Sequence, residues 1–145
     1  MKRNAKGFTL VEILIVVIIL GILAAIVIPQ FTNASSDARN NSVASTLQTL
    51  RGQIELFKIQ HGDTPPAATA LTVVLPGKTS TTDTTTTNAA GTFGPYVQAF
   101  PTNPINGFST VVTAAGTTAG WVYTVSGSQY TVQATNTTGT AALTY

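Results

Sequence analysis

The chain has 145 residues, with 7 basic and 5 acidic side chains, a net charge of +2 and a pI of about 9.2. Only 8% of the residues are charged and 43% are hydrophobic, a composition that is unusual for a free cytoplasmic domain and too apolar for a disordered chain. The absence of cysteine and the presence of one histidine exclude disulfide frameworks, cysteine or histidine-cluster metal sites, c-type haem attachment and a thiol nucleophile.

The positive charge is concentrated at the start of the chain. Lys2, Arg3 and Lys6 give residues 1–7 a charge of +3, so residues 8–145 carry four basic and five acidic side chains, or −1. The high pI therefore belongs to the first seven residues and does not indicate that the rest of the chain binds nucleic acid.

A long apolar segment follows this basic start. Residues 13–28 contain no charged or strongly polar side chain. As a helix, residues 8–28 would rise about 31 Å, close to the roughly 30 Å of a bilayer's hydrocarbon core. The basic residues favour a cytoplasmic start, with the bulk of the chain across the membrane. A cleaved secretory signal and a plain membrane anchor are the alternatives, but both leave the acidic Glu12 in the apolar stretch unexplained.

The residues around Glu12 carry a resemblance to a known family. The sequence KGFTLVEILIVVIILGILAAIVIPQF, residues 6–31, resembles the leader and N-terminal helix of the bacterial type IV pilin superfamily, which includes type IV pilins and the pseudopilins of type II secretion systems. The matching elements are a short basic leader ending at Gly7, Phe8 as the first mature residue, Glu12 at mature position 5 and Pro29 at mature position 22. The resemblance implies an α+β pilin fold, in which a long N-terminal helix packs against a small antiparallel β-sheet.

The resemblance also implies how the chain is processed and assembled. A membrane-embedded prepilin peptidase is expected to cleave between Gly7 and Phe8 and to methylate the new amino group of Phe8. Glu12 is expected to pair with the Phe8 amine of a neighbouring subunit. A carboxylate and an amine are each costly in hydrocarbon, and pairing them offsets much of that cost. Because an out-of-register helix leaves both groups unpaired, the pair would set the stagger between subunits as well.

The function implied by the resemblance is that of a structural subunit. The expected product is a homo-oligomeric helical filament, rooted in the bacterial inner membrane and extending into the periplasm or from the cell surface, with an assembly platform protein and a separate cytoplasmic ATPase as partners. The alternative is a minor pilin that presents an adhesive or DNA-capturing tip. Glu12 favours the first function, because the subunit that starts a filament often lacks this residue. No enzyme is expected, since the acidic residues form no pair with acid–base geometry.

The sequence predicts one helix from residue 8 to about residue 61. Its membrane-spanning or filament-core half comprises residues 8–29, and its amphipathic half lies within residues 30–62. Gly21 and Pro29 mark the interval that bends most easily, because proline removes a backbone hydrogen bond and glycine costs about 1 kcal/mol relative to alanine.

Apolar residues recur after Pro29 at spacings of 4, 3, 4 and 3, which is typical of one buried helix face. They are Val43, Leu47, Leu50, Ile54 and Phe57, here called the apolar stripe. Arg51 and Glu55, four residues apart, are predicted to form a solvated charge pair near Lys58. The helix is expected to end near Gly62, with His61 capping its last carbonyls.

The remaining domain, residues 63–145, is predicted to contain a small sheet. Residues 79–88, TSTTDTTTTN, are typical of an exposed loop. Strands are predicted at residues 110–114, 121–125 and 129–134, with a hairpin turn at residues 126–128. One face of this hairpin is expected to cover the stripe from Leu47 to Phe57; its residues are Trp121, Tyr123 and Val125 on the first strand and Tyr130, Val132 and Ala134 on the second.

Two turn-rich segments, Gly94-Pro95-Tyr96 and Asn103-Pro104-Ile105-Asn106-Gly107, resemble a region of major pseudopilins. Many of those proteins bind calcium through carboxylates in C-terminal loops, but no acidic residue follows Asp83 in this chain. Asp63, Asp83 and backbone carbonyls are the oxygen ligands that remain. We therefore expect no cofactor and no strong calcium site. No nucleic-acid partner is expected either, because residues 8–145 have only four basic side chains, Arg39, Arg51, Lys58 and Lys78.

Overall fold

The computed structural model describes residues 7–140, 142 and 143 and divides the chain into two compact units, Met1–Ala38 and Arg39–Tyr145. Helix α1, Leu10–Gln60, contributes residues to both units. Its bounds agree with the helix predicted for residues 8 to about 61. Of the predicted leader, Gly7 is described and residues 1–6 lie outside the described residues.

The first unit exposes an apolar helical surface. All of its described residues, 7–38, are exposed, and each large apolar side chain among them is at least 42% exposed. Burying one such side chain completely is worth about 1.5–3 kcal/mol. A run of this length therefore gains a large free energy from any apolar surroundings that cover it.

In the second unit, α1 is amphipathic and its buried face is the apolar stripe. All five stripe residues are at most 1% exposed, which confirms the prediction from their spacing. The helix ends with a left-handed residue, because Gly62 has φ of 62° and the Asp63 N–H donates to the Lys58 carbonyl at 2.9 Å. This is the hydrogen bond of a Schellman cap, so the predicted end of the helix is confirmed.

A one-turn helix, α2, Leu71–Val74, follows α1 and was missed in the sequence. Leu71, Val74 and the following Leu75 are fully buried and pack in the same core as the apolar stripe. Four residues are too few to show helical periodicity, so the pattern that revealed α1 has no counterpart here.

The second unit also contains a four-stranded sheet. Its strands are β1, Val111–Val112; β2, Trp121–Ser126; β3, Gln129–Thr135; and β4, Ala142–Leu143, in the order β1-β2-β3-β4. Strands β2 and β3 pair antiparallel from Trp121 opposite Ala134 to Ser126 opposite Gln129. This confirms the predicted hairpin, whose two-residue turn places Gly127 at φ of 61°.

The α+β fold is as predicted, but the sheet is mixed and so differs in one pairing from the small antiparallel sheet that was expected. Strand β1 runs parallel to β2, with Val111 opposite Trp121, whereas β3 and β4 are antiparallel. A parallel neighbour needs a connection long enough to return to the start of the strand. Residues 113–120 are long enough here because β1 has only two residues. Strand β4 was not predicted, since Ala142 and Leu143 have no β-branched side chain.

The hairpin covers the apolar stripe as predicted. Trp121 and Tyr123 from β2 and Val132 and Ala134 from β3 are buried in one cluster with the stripe. The polar atoms of the two aromatic residues are satisfied by backbone carbonyls. Trp121 Nε1 donates to Pro101 at 3.0 Å, and the Tyr123 hydroxyl donates to Pro66 at 3.0 Å. These two bonds attach the loop before the sheet to the core.

The predicted charge pair on α1 does not form. Arg51 Nη2 donates instead to the Val132 carbonyl at 3.2 Å, and the ion pairs of Glu55 and Asp63 are both made with Lys58, at 3.7 and 3.4 Å. The side chain of Lys58 is only 10% exposed. The helical spacing of Arg51 and Glu55 predicted an ion pair, but the Arg51 side chain donates to a backbone carbonyl of β3 instead.

The predicted exposed loop at residues 79–88 is anchored at its first residue. Thr79 is fully buried, and its backbone exchanges two hydrogen bonds of 3.0 Å with Phe93. From Thr85 to Asn88 the loop is exposed, as predicted. Its low-complexity composition gave no sign that its first threonine belongs to the core.

Candidate functional site

The residues of the predicted processing and docking site lie at the start of α1. Gly7, Phe8 and Thr9 precede the helix, and the Phe8 side chain is 85% exposed. A side chain added at Gly7 would meet no other atom within 4 Å. The peptide between Gly7 and Phe8 is therefore in open surroundings among the described residues.

Glu12 is held by a residue that sequence analysis did not single out. Its Oε2 accepts hydrogen bonds from the Thr9 backbone N–H at 2.8 Å and from the Thr9 hydroxyl at 2.9 Å. In return, the Glu12 backbone N–H donates to the Thr9 hydroxyl oxygen at 3.2 Å. This is a capping box, with Thr9 at the N-cap and Glu12 at the third helical position.

The signal for this box was present in the sequence as threonine and glutamate three residues apart before an apolar run. Its geometry fixes the carboxylate next to the first turn of α1, where the helix dipole also favours negative charge. Both hydrogen bonds from Thr9 go to Oε2. Among the described residues, no donor reaches Oε1, so that oxygen is open to a cationic partner.

The helix behind Glu12 meets the length and composition needed to cross a membrane. None of its most apolar 18-residue window is buried. A core helix of a globular domain would also be long and apolar, but it would be mostly buried. A signal sequence near the N-terminus would have the same properties, and Glu12 remains the feature that argues against it.

Gly21 and Pro29 lie inside α1, which is helical on both sides of each residue. Pro29 has no N–H to donate to the Ala25 carbonyl, so one hydrogen bond of the helical ladder is missing there. Three residues later, the Thr32 hydroxyl donates to the Ile28 carbonyl at 3.2 Å. The flexibility assigned to these two residues stays a prediction.

His61 lies where a cap was predicted, at the end of α1. Its Nδ1 is 2.8 Å from the Phe57 carbonyl oxygen, its ring stacks on Phe57 at 3.7 Å, and it is only 3% exposed. Among the residues that the structure describes, no group of three or more histidine, aspartate or glutamate side chains is placed to hold a metal ion. The contacts of His61 are those of a packed helix cap.

A polar groove of about 370 Å³ between α1 and β3 is lined by charged groups and Tyr130. Burial raises the pKa of Tyr130 to about 12, with further contributions from the nearby Glu55 carboxylate, while Arg51 opposes the shift. The phenol therefore stays protonated at neutral pH. It donates to the Arg51 carbonyl at 3.2 Å, which makes it a link between helix and sheet rather than a general base.

The start of the chain matches a family model that describes an N-terminal methylation motif. The family model for the prokaryotic N-terminal methylation motif matches residues 2–28, which include Gly7, Phe8 and Glu12. No solved structure matches the chain.

The relatives include type II secretion system proteins and type IV fimbrial proteins. The type II secretion system core protein G of Dickeya chrysanthemi is 34% identical over 65 residues, which cover 45% of this chain and 42% of that protein. The protein of the same name from Pseudomonas aeruginosa is 28% identical over 103 residues, covering 71% of this chain and 70% of that protein. The type IV major fimbrial protein FimA of Dichelobacter nodosus is 49% identical over 55 residues, covering 38% of this chain and 35% of that protein.

The match thus spans less than half the length of two of these three relatives. Pilins and pseudopilins are structural subunits and not enzymes. Three findings point to the same kind of protein: the methylation motif, the long apolar helix and the relatives of both kinds. Residues 2–28 carry the prokaryotic N-terminal methylation motif, and the chain is similar to type II secretion system core proteins G and to type IV fimbrial proteins.

Proposed function

We propose that this chain is a structural subunit of a helical, membrane-rooted filament, either a type IV pilus or a type II secretion pseudopilus. The observation that carries the proposal is the exposed apolar surface of α1 in the first unit, which begins with one acidic residue held by a capping box. A lipid bilayer covers such a surface before assembly, and the same surface of other copies covers it afterwards.

Processing is the first step of the proposal. The family motif, the basic start of the chain and the open surroundings of Gly7 support cleavage between Gly7 and Phe8 by a prepilin peptidase. The same enzyme would methylate the amino group that cleavage creates on Phe8. Cleavage removes three basic side chains and leaves residues 8–145 with a side-chain charge of −1.

Docking is the second step. The Phe8 amine of one subunit pairs with the Glu12 carboxylate of a neighbour inside the apolar filament core, where an unpaired charge would be expensive. In the single chain, Thr9 occupies Oε2 of Glu12. We infer that Thr9 acts as a positioning residue that holds the carboxylate while the neighbour's amine binds at Oε1.

The proposed location and partners follow from these steps. The precursor spans the inner membrane once, with residues 1–7 in the cytoplasm, and the second unit lies in the periplasm. The filament then reaches the periplasm or the cell surface. A prepilin peptidase, an assembly platform protein and a cytoplasmic ATPase are the proposed partners, and other copies of the chain form the homo-oligomer.

The docking role is tested by Glu12→Ala and Glu12→Gln in cells that lack the chromosomal copy. We expect wild-type cells to yield sheared filaments with this chain as their main band. Both variants should accumulate as membrane-inserted monomers and yield no filaments, because neither side chain carries the charge that pairs with the amine. The intact mass of the extracted wild-type protein should equal residues 8–145 plus one methyl group.

The controls separate failure of assembly from failure of the subunit. Membrane fractionation reports insertion, and the thermal unfolding of the second unit should be unchanged, because residue 12 lies outside that unit. Normal filaments from Glu12→Ala would refute the docking role. Trace incorporation of the wild-type chain into filaments built from another protein would overturn its role as the main structural subunit.

A further inference from the structure

Two asparagine side chains tie the turn-rich segment before β1 to the start and end of the central hairpin. We infer that the amide N–H groups of Asn103 and Asn106 hold this junction together and that its oxygens do not fit a calcium ion, so that the folded domain does not depend on calcium. The inference concerns the second unit alone and holds whether or not the chain assembles.

The Asn106 side-chain nitrogen contacts three different oxygens. Its Nδ2 lies 3.0 Å from the Ala119 carbonyl oxygen, 2.8 Å from Thr135 Oγ1 and 3.0 Å from the Asn136 carbonyl oxygen. These three oxygens come from the residues before β2, from the last residue of β3 and from the loop after it. One NH₂ group thus contacts two backbone carbonyl oxygens and one hydroxyl oxygen, from the two ends of the hairpin.

Asn103 repeats this arrangement deeper in the domain. Its Nδ2 donates to the Gly120 carbonyl at 2.8 Å and to the Thr135 carbonyl at 3.0 Å. Asn103 and Thr135 are both fully buried. In such surroundings an unsatisfied carbonyl costs about 1–3 kcal/mol. The Gly120 carbonyl also accepts from the Thr135 N–H at 3.2 Å, so Asn103 adds to a network that includes Thr135.

The orientation of both side-chain amides is fixed by the hydrogen bonds that their Oδ1 atoms accept. Asn103 Oδ1 accepts from the Ile105 N–H at 2.9 Å, and Asn106 Oδ1 accepts from the Phe108 N–H at 3.0 Å. Rotating either amide by half a turn would bring Oδ1 against carbonyl oxygens and NH₂ against an N–H group. The hydrogen-bond network therefore requires the amide NH₂ group, a donor with no lone pair available to a metal ion, to face the oxygens.

The chemistry of the donor set does not fit calcium. Calcium takes 6–8 oxygen ligands, usually including charged carboxylates. The oxygens at this junction already accept hydrogen bonds from the two asparagines, and the sequence has no acidic residue after Asp83. The two loop carboxylates are engaged elsewhere, Asp63 with Lys58 at 3.4 Å and Asp83 with the Ser80 N–H at 2.7 Å.

The first test uses the wild-type full-length chain in detergent micelles. Thermal unfolding followed by near-ultraviolet circular dichroism should give the same Tm in millimolar calcium and in excess EDTA. Calorimetric titration with calcium chloride should show no binding. A Tm that falls in EDTA and recovers with calcium, or a saturable calcium isotherm, would overturn the inference.

The second test changes one atom of the junction. Asn106→Asp replaces the donating NH₂ with a carboxylate oxygen that faces three other oxygens. We expect its Tm in EDTA to fall by about 4 °C or more, the size of shift expected when a buried polar contact is lost in a domain of this length. Asn88→Asp adds the same charge on the exposed loop and should leave Tm within about 2 °C of wild type.

Comparing the Tm values of the two variants shows whether the amide network stabilises the domain. If Asn106→Asp and Asn88→Asp have the same Tm, the network contributes nothing and the inference is wrong. If Asn106→Asp does not fold at all, the network is confirmed as essential. The wild-type titration then still decides whether calcium is required.

Discussion

The Glu12 carboxylate lies 2.8 Å from the backbone nitrogen of Thr9 and 2.9 Å from its hydroxyl oxygen. The carboxylate that we propose for docking is therefore already hydrogen-bonded within the single chain. Two hydrogen bonds to an anionic oxygen reduce the cost of placing the carboxylate near hydrocarbon before a neighbour arrives. They also hold the side chain at one end of the helix, at the place where the proposed docking would bring the amine of a neighbouring subunit.

Thr9→Val tests this relationship because valine keeps the branched shape of threonine and removes the hydroxyl. We expect the first turn of α1 to lose about 1 kcal/mol, the usual cost of removing an N-cap side chain. Amide hydrogen exchange at residues 10–13 in micelles measures this loss. Filament yield should fall, though less than for Glu12→Ala, since the carboxylate is still present.

Thr9→Ser is the matched variant for this experiment. Serine retains the hydroxyl and is an equally good N-cap, so both amide protection and filament yield should return to wild-type levels. Wild-type filament yield from Thr9→Val would show that Thr9 caps the helix without positioning Glu12.

Two leucines on the same helix test the assignment of the core. Leu50 is 1% exposed within the apolar stripe, whereas Leu56 is 42% exposed on α1. Leu50→Ala should lower the free energy of unfolding by about 2–5 kcal/mol, because it removes buried methyl groups and leaves a cavity. Leu56→Ala should change it by about 0.5 kcal/mol or less. Urea unfolding followed by Trp121 fluorescence measures both, and equal effects would contradict the packing described here.

Features with a local signal were predictable from the sequence. The stripe that includes Leu50 was visible because helical spacing puts such residues on one face, and the hairpin because Gly127 separates two β-rich segments. The Thr9 capping box also has a local signal, but a role was predicted for Glu12 and none for Thr9. Short elements such as α2 and β4 have too few residues to show any period.

Features that depend on distant residues were not predictable in this way. Arg51 donates to Val132, 81 residues away in sequence, so the spacing between Arg51 and Glu55 suggested the wrong partner. The Asn106 amide likewise finds its acceptors 13 to 30 residues away, among backbone oxygens that carry no sequence signal. Both cases involve backbone carbonyl acceptors. Because every residue has a carbonyl, the sequence does not indicate which one a side chain will contact, and the fold decides it.

A pair of double-mutant cycles tests the revised charge assignment. The Lys58–Asp63 pair, at 3.4 Å and with the lysine side chain 10% exposed, should show a coupling of about 0.5–1 kcal/mol. The Arg51–Glu55 pair should show a coupling of about 0.2 kcal/mol or less. Unfolding free energies of the single and double alanine variants give both values. A larger coupling for Arg51 and Glu55 would restore the pairing predicted from the sequence.

Tyr123 and Tyr130 make the stability of the second unit sensitive to alkaline pH. Burial raises the pKa of Tyr123, with a smaller contribution from the neighbouring Tyr130. Burial and the nearby Glu55 raise the pKa of Tyr130 to about 12, against the opposing effect of Arg51. An unfolded tyrosine has a pKa of about 10. The unfolded chain therefore releases these protons at lower pH than the folded chain does.

Because the unfolded state binds fewer protons above pH 10, the free energy of unfolding should be constant below about pH 9 and fall between about pH 10 and 12. Urea unfolding at fixed pH values, with phenolate absorbance recorded in parallel, measures the slope and the ionisation together. Tyr130→Phe removes one of the two groups, so its stability should fall less steeply in this window, although it starts lower because the hydrogen bond to the Arg51 carbonyl is lost. If both phenols ionise near pH 10 while the domain stays folded, the hairpin does not bury these side chains as the structure shows.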